Sequence, residues 1–129
     1  MPGETALDST TAIRYLNNDR DVVNKVLALP KIVLPLIVVG ELLFGAENSS
    51  RSLENYSRYL QFINTCTVIS MGKETCIFYS RTRCSLKQKG RPIPDNDIWI
   101  AAQCLEHEWK LITDDEHFKY VGNLATECW

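Results

Sequence analysis

Short apolar runs that alternate with longer helical segments constrain the fold of this chain more than any other feature. The runs are three or four residues long and consist of aliphatic, β-branched and small residues; they cover residues 5–7, 32–34, 67–70 and 111–113. Between them, apolar residues recur at helical spacing. This alternation predicts an α/β fold, a parallel β-sheet flanked by helices on both faces, with functional sites at the carboxyl ends of the strands. A last short strand is expected near the C-terminus.

Hydroxyl side chains mark the expected starts of two helices. A serine and two threonines at residues 9–11 are expected to cap the first helix, and Ser49 and Ser50 to cap a long amphipathic one. In the latter, four apolar residues recur at the helical period and are predicted to face the core: Leu53, Tyr56, Leu60 and Ile63.

The stretch PDNDIWIAA, residues 94–102, predicts a helix that starts with two acids and is apolar nearly all round. Asp95 and Asn96 are good capping residues, and Asp97 falls in the first turn. Two interpretations are open. In the first, Asp95 is an ordinary helix cap and Asp97 is solvated. In the second, the two acids at this helix start bind a ligand.

Length and composition indicate one globular domain that spans residues 1–129. The chain is 45% hydrophobic and 23% charged, as in ordinary globular proteins. It contains no apolar run near the roughly 20 residues that cross a bilayer, and its N-terminus does not resemble a secretory signal. Five cysteines without a CxxC pair favour reduced thiols over a disulfide framework or a zinc site. Cytoplasmic residence and no membrane partner are therefore expected.

Four acids, far apart in the sequence, occupy similar predicted settings. Asp8 and Asp115 follow strands, whereas Glu41 and Asp97 lie in the first turns of helices that start near the same edge of the sheet. Carboxylates brought together there would repel one another without a counter-ion, and clustered oxygen ligands suit Mg²⁺ or Mn²⁺. For Glu41, the one ionisable residue between Lys31 and Glu47, a solvent-facing strip or a salt bridge to an arginine is the alternative.

Five basic residues stand out against a formal net charge of -2. They fall between residues 81 and 91, a segment without an acid: Arg81, Arg83, Lys87, Lys89 and Arg91. They form either a solvated helix face or a surface that follows the phosphates of a nucleic acid.

Taken together, four motifs in this order resemble the PIN domains of VapC type, the toxic ribonucleases of bacterial toxin–antitoxin pairs. They are LDST at residues 7–10, GELLFGA at 40–46, PDNDIWIAA at 94–102 and LITDDEHF at 111–118. The resemblance covers essentially the whole chain. It implies a PIN-like three-layer fold.

The resemblance also implies roles for individual residues. It makes Asp8, Glu41, Asp97 and Asp115 the catalytic, metal-binding carboxylates. Three further residues are candidates for an outer shell around the metal: Asp95, Ser9 and Thr113. Asp115 is preferred to Asp114 because the family pattern of threonine, acid, histidine and phenylalanine matches Thr113, Asp115, His117 and Phe118. A structural role is expected for His117.

A function follows from the same resemblance: a Mg²⁺- or Mn²⁺-dependent endoribonuclease that acts as the toxin of a type II toxin–antitoxin pair. An RNA substrate, bound by the basic residues, a cognate VapB-type antitoxin and a homodimer are implied. The alternative is a catalytically silent PIN-like module that binds RNA or protein. A phosphorelay receiver is disfavoured because it needs an acid pair after the first strand, and a DxDxT phosphatase because residue 10 is a threonine.

Overall fold

Five short strands pair in parallel to form the single sheet of this computed structural model, which describes residues 3–129. The strands are β1 (Thr5–Leu7), β2 (Val33–Leu34), β3 (Thr67–Val68), β4 (Lys110–Ile112) and β5 (Thr126–Glu127), in the spatial order β3-β2-β1-β4-β5. The predicted strands, including the last one, are thus confirmed. The central strands β1, β2 and β4 are almost entirely buried. Because both faces of these strands are covered, their sequences are continuous apolar runs and do not alternate with polar residues.

Within residues 3–129, six α-helices and one 3₁₀ turn connect the strands and complete a three-layer α/β fold. The helices are α1 (Ser9–Leu16), α2 (Arg20–Leu27), α3 (Leu36–Glu47), α4 (Ser52–Thr65), α5 (Lys73–Gln88) and α6 (Asp95–His107), and the 3₁₀ turn is Glu116–Tyr120. Helix α6 packs against both α5 and α3. No helix within residues 3–129 has the length and apolar character that a bilayer crossing requires.

Three of the expected helix caps are wrong. Asp8, not the hydroxyl residues after it, caps α1 and accepts a hydrogen bond from the Ser9 amide. Arg51 precedes α4, without a side-chain cap, and Pro94 occupies the cap position of α6, so that Asp95 is the first residue of that helix. The side chain of Asp95 is therefore free to contact another element.

The predicted buried face of α4 is only partly right, since Ile63 packs into the core but the two leucines do not. Leu53 is 89% exposed and Leu60 is 38% exposed, whereas Tyr59, Phe62 and Ile63 pack into the core. Apolar residues at helical spacing occur on both sides of this helix, so the spacing did not identify the side that the sheet covers.

Strand β1 lies at the point where the order of strands reverses: β2 and β3 are added on one side of it, and β4 and β5 on the other. It pairs with β2 on one side and with β4 on the other, and Leu7 is in register with Ile112. The segments after β1 and β4 therefore leave the same edge next to each other, which is where ligands bind in open parallel sheets. Asp8, Thr113 and Asp115 all lie in these segments.

Candidate active site

Asp8 is the most buried acid at this edge of the sheet. It is 4% exposed, and its two carboxylate oxygens accept hydrogen bonds from the Ser9 amide and from the Thr113 hydroxyl, both at 2.8 Å. The β1–β4 pairing places Thr113 beside it, since the Asp8 amide donates to the Ile112 carbonyl at 3.0 Å. Two neighbouring strands therefore fix this carboxylate.

Burial raises the pKa of Asp8 from 3.8 to about 6, in spite of its hydrogen bonds. The hydrogen bonds from Thr113 and Ser9 lower the pKa, whereas the negative charges of Asp97 and Glu41 raise it further. The site therefore resists a charge on Asp8 unless a cation is present.

Helix α3 brings Glu41 to the same edge. The helix begins after Pro35, whose fixed φ suits a helix start, and Glu41 is half-buried about two turns from that start. The Ser9 hydroxyl donates to Glu41 Oε1 at 2.8 Å. This bond joins the first turn of α1, capped by Asp8, to α3.

Asp97, Asp115 and His117 form the more open half of the site. His117 Nδ1 lies 2.9 Å from Asp97 Oδ2 and 3.1 Å from Asp115 Oδ1. The side chain of Asp97 is 14% exposed, that of Asp115 35% and that of His117 44%. One ligand atom from each of the three residues lies within 4.8 Å of the others, a spacing that could hold a metal ion.

Local backbone geometry orients Asp115 and not Asp114. Asp115 caps the 3₁₀ turn by accepting from the His117 amide at 2.9 Å, and its own amide donates to the Thr113 hydroxyl at 3.0 Å. Asp114, in contrast, is exposed. Thr113 thus supports Asp8 on one side and the backbone at Asp115 on the other.

The four predicted acids are brought together by the fold. The pKa of Asp97 is raised, first by burial and then by the charges of Asp115 and Glu41, although the hydrogen bond with His117 opposes the shift. The negative charges of Asp97 and Glu41 also raise the pKa of Asp8. Oxygen ligands from several elements, arranged so that they repel one another, suit a hard divalent cation such as Mg²⁺ or Mn²⁺.

Of the other predicted site residues, Ser9 and Thr113 lie in the cluster, and Asp95 does not contact it. Asp95 accepts a hydrogen bond from the Tyr79 hydroxyl on α5 and lies 3.7 Å from Arg83 Nη1. The five basic residues of the 81–91 segment are all exposed, as both interpretations of that segment require.

His117, for which the sequence predicts a structural role, lies within the cluster of acids. The structure places its ring between Asp97 and Asp115. The available signal was its spacing, since a histidine two residues after a capping aspartate lies on the same tight turn as that aspartate.

Comparisons with known proteins agree over nearly the full length of the chain. The PIN domain model matches residues 6–124. Ribonuclease VapC2 of Rickettsia felis is 29% identical over 128 residues, or 95% of this chain and 96% of that protein. Ribonuclease VapC1 of Haemophilus influenzae strain R2866 is 30% identical over 130 residues, or 93% and 94%. The crystal structure of VapBC2 from Rickettsia felis, bound to a DNA fragment from its promoter, has a TM-score of 0.91 at 26% identity and covers 97% of this chain and 98% of that one.

Proposed function

Because the chain belongs to the PIN-domain family, we propose that it is an endoribonuclease that cleaves RNA with a divalent metal ion and acts as the toxin of a type II toxin–antitoxin pair. The observation that supports this proposal most directly is the convergence of Asp8, Glu41, Asp97 and Asp115 at the carboxyl edge of the sheet. The ribonuclease relatives, whose matches cover 95% and 93% of this chain, supply the reaction class.

The donor set fits Mg²⁺ or Mn²⁺. Asp8, Asp97, Asp115 and Glu41 would supply the ligand oxygens, and repulsion among them would be relieved by the cation. A divalent ion bound there would activate water and neutralise the charge that develops on a phosphodiester. The Ser9 hydroxyl holds the Glu41 carboxylate in place, and the Thr113 hydroxyl holds that of Asp8. The acids therefore need little reorganisation to bind the ion.

His117 holds the exposed half of the site together. Its Nδ1 atom lies within hydrogen-bond distance of both Asp97 and Asp115, which come from α6 and from the segment after β4. We assign it to the positioning of these two carboxylates.

Partners follow from the same relatives. The similar VapBC2 of Rickettsia felis was solved bound to a DNA fragment from its promoter. We propose a VapB-type antitoxin as the partner of this chain, a homodimer as its assembly, one domain over residues 1–129, and the cytoplasm as its place of action.

Cleavage of a labelled single-stranded RNA tests the proposed activity. Cleavage is expected with Mg²⁺ or Mn²⁺ and is expected to stop when EDTA removes the ion. Binding of the RNA without cleavage under every metal condition would instead support the silent binding module. Cleavage that persists in EDTA would contradict the metal-dependent mechanism.

A further inference from the structure

A second cleft lies beside the acidic cluster, on the other side of the first turn of α6. It has a volume of about 620 Å³, within the range of small-molecule sites in proteins. Its apolar lining comes from α5, from the loop before α6 and from α6 itself: Leu86, Pro92, Ile93 and Ile98. Leu86 and Ile98 belong to the buried core, so this lining is fixed by the fold.

Charged groups surround the apolar lining. Arg83 and Lys87 lie one turn apart on α5, and Asp95 faces them from the start of α6. The cleft therefore offers an apolar lining, two cations and a carboxylate acceptor. A nucleotide has the complementary groups: an aromatic base, N–H donors on the edge of the base, and a phosphate.

Asp95 and Arg83 are held in position by an aromatic pair. Tyr79 stacks on Trp99 with ring centroids 3.8 Å apart and an interplanar angle of 17°. Its hydroxyl donates to Asp95 Oδ1 and accepts from Arg83 Nη1 at 2.8 Å. A cation and a carboxylate that are both exposed are thus oriented by one hydroxyl, which is typical of a recognition site and not of loose surface charges.

The cleft is close enough to the acids to contact the same RNA strand. Asp95 and Asp97 belong to one helical turn but point to different sides, towards α5 and towards His117 respectively. An α-helix with its side chains is about 10–12 Å wide. That width corresponds to about three nucleotides of stacked strand, and to fewer when the strand is extended.

We propose that this cleft, formed by Arg83, Lys87, Asp95 and the apolar lining, binds a nucleotide next to the cleaved phosphodiester and so determines the sequence preference of the enzyme. The inference rests on the proposed ribonuclease function. The base packs on Ile93 and Pro92, an N–H of its edge donates to Asp95, and Arg83 and Lys87 bind the adjoining phosphate.

Sequencing of the ends produced from a random pool of single-stranded RNA tests the assignment. The wild type with Mn²⁺ is expected to prefer one base at a position flanking the cut. Asp95→Ala, a change at an exposed side chain, is expected to reduce that preference by about fivefold or more. Lys87→Ala is expected to raise KM with kcat unchanged, because it removes an interaction shared by bound substrate and transition state. Lys25→Ala, at an exposed lysine on α2, is the control of equal charge and should change neither quantity.

The outcomes separate the two proposals. If the wild type does not cleave RNA, the proposed function fails. If it cleaves with a preference that Asp95→Ala leaves intact, or if Lys87→Ala and Lys25→Ala behave alike, the nucleotide cleft is refuted. The cleft is also refuted if these variants change only the binding of a protein partner. Circular dichroism of each variant verifies that it is folded.

Discussion

At the scale of single residues, Asp8 carries the main electrostatic cost of the candidate site. Its pKa is about 6, against 3.8 for a free carboxyl, so the folded state favours the protonated form more than the unfolded chain does. Above pH 6 the metal-free folded state is therefore destabilised by up to about 3 kcal/mol because Asp8 is ionised. The hydrogen bonds from Ser9 and Thr113 reduce this cost without removing it, so the side chain is positioned for function at the expense of stability.

The first prediction concerns pH. In EDTA, the Asp8 contribution should raise the free energy of unfolding as pH falls through about 6 towards 4, since the folded state then takes up a proton that the unfolded state does not bind. Asp8→Asn should be more stable than the wild type near neutral pH and should lack this contribution. Urea unfolding of both proteins at about pH 7.5 and about pH 5 measures the difference. Equal pH dependence of the two proteins would contradict the assignment.

The second prediction concerns Glu41. Glu41→Gln keeps an oxygen that can accept from Ser9 but removes the charge that repels Asp8 and Asp97. We expect it to melt at a higher temperature than the wild type in EDTA, to gain less stability from added Mn²⁺, and to be inactive on RNA. Differential scanning fluorimetry with and without Mn²⁺ measures the first two effects. A lower melting temperature in EDTA would mean that the ionised carboxylate stabilises the apo fold.

The third prediction compares neighbouring acids. Asp97→Asn and Asp115→Asn should lower the cleavage rate by about 100-fold or more, because each removes a ligand oxygen from the group around His117. Asp114→Asn is the matched control, since Asp114 is exposed and adjacent to Asp115. A comparable loss in Asp114→Asn would mean that Asp114 contributes to the site as well, and a loss in Asp114→Asn alone would exchange the roles of these two acids.

At the scale of elements, one buried amide ties three parts of the fold together. Gln103 on α6 is fully buried; its Oε1 accepts from the Leu36 amide at the start of α3, and its Nε2 donates to the Ile69 carbonyl after β3, both at 2.8 Å. Pro35 cannot cap α3 with a side chain, so Gln103 supplies that hydrogen bond from another helix. Because α3 carries Glu41 and α6 carries Asp97, this contact sets the spacing between the elements that carry the two acids.

The fourth prediction follows from the hydrogen bonds of Gln103. Gln103→Leu removes the partner of the Leu36 amide and of the Ile69 carbonyl, both in part-buried hydrogen bonds, so it should lower the free energy of unfolding by about 1–3 kcal/mol and weaken Mn²⁺ binding. Gln61→Leu makes the same change at an exposed position of α4 and should stay within about 0.5 kcal/mol of the wild type. Chemical denaturation and a Mn²⁺ titration of both variants provide the test. An unchanged Mn²⁺ affinity in Gln103→Leu would show that this residue does not position the acids.

At the scale of the whole molecule, charge is separated into an acidic crevice and an exposed basic segment. Arg81, Arg83 and Lys87 project from α5, and Lys89 and Arg91 follow in the loop after it. Arg91 lies over the Tyr120 ring at 4.8 Å, and Lys89 donates to the Tyr120 carbonyl at 3.1 Å, which joins this loop to the turn that bears His117. A formal net charge of -2 therefore does not argue against RNA.

The fifth prediction tests that basic surface as a whole. Removal of two cations, Arg81→Ala with Lys87→Ala, should weaken RNA binding and reduce the slope of log affinity against log salt by up to about 0.7 for each phosphate that the variant no longer neutralises. Arg20→Ala with Lys25→Ala on α2 is the control of equal charge. Fluorescence anisotropy with an inactive Asp97→Asn background avoids cleavage during the titration. Equal slopes in all three proteins would mean that the segment is a solvated face.

The order of residues along the chain was sufficient to establish the fold class and to predict four acids that the fold brings together. Short buried runs can alternate with helices in this way only if the strands are parallel and covered, and acids at strand ends and helix starts then share one edge. Three-dimensional packing was needed to establish which side chain caps which helix, which face of α4 is buried, and where Asp95 points. It also placed His117 between two acids and Gln103 under the start of α3. The contacts Tyr79–Asp95, Asp97–His117 and Leu36–Gln103 join residues 16, 20 and 67 positions apart. Local periodicity and propensity contain no information about such partners.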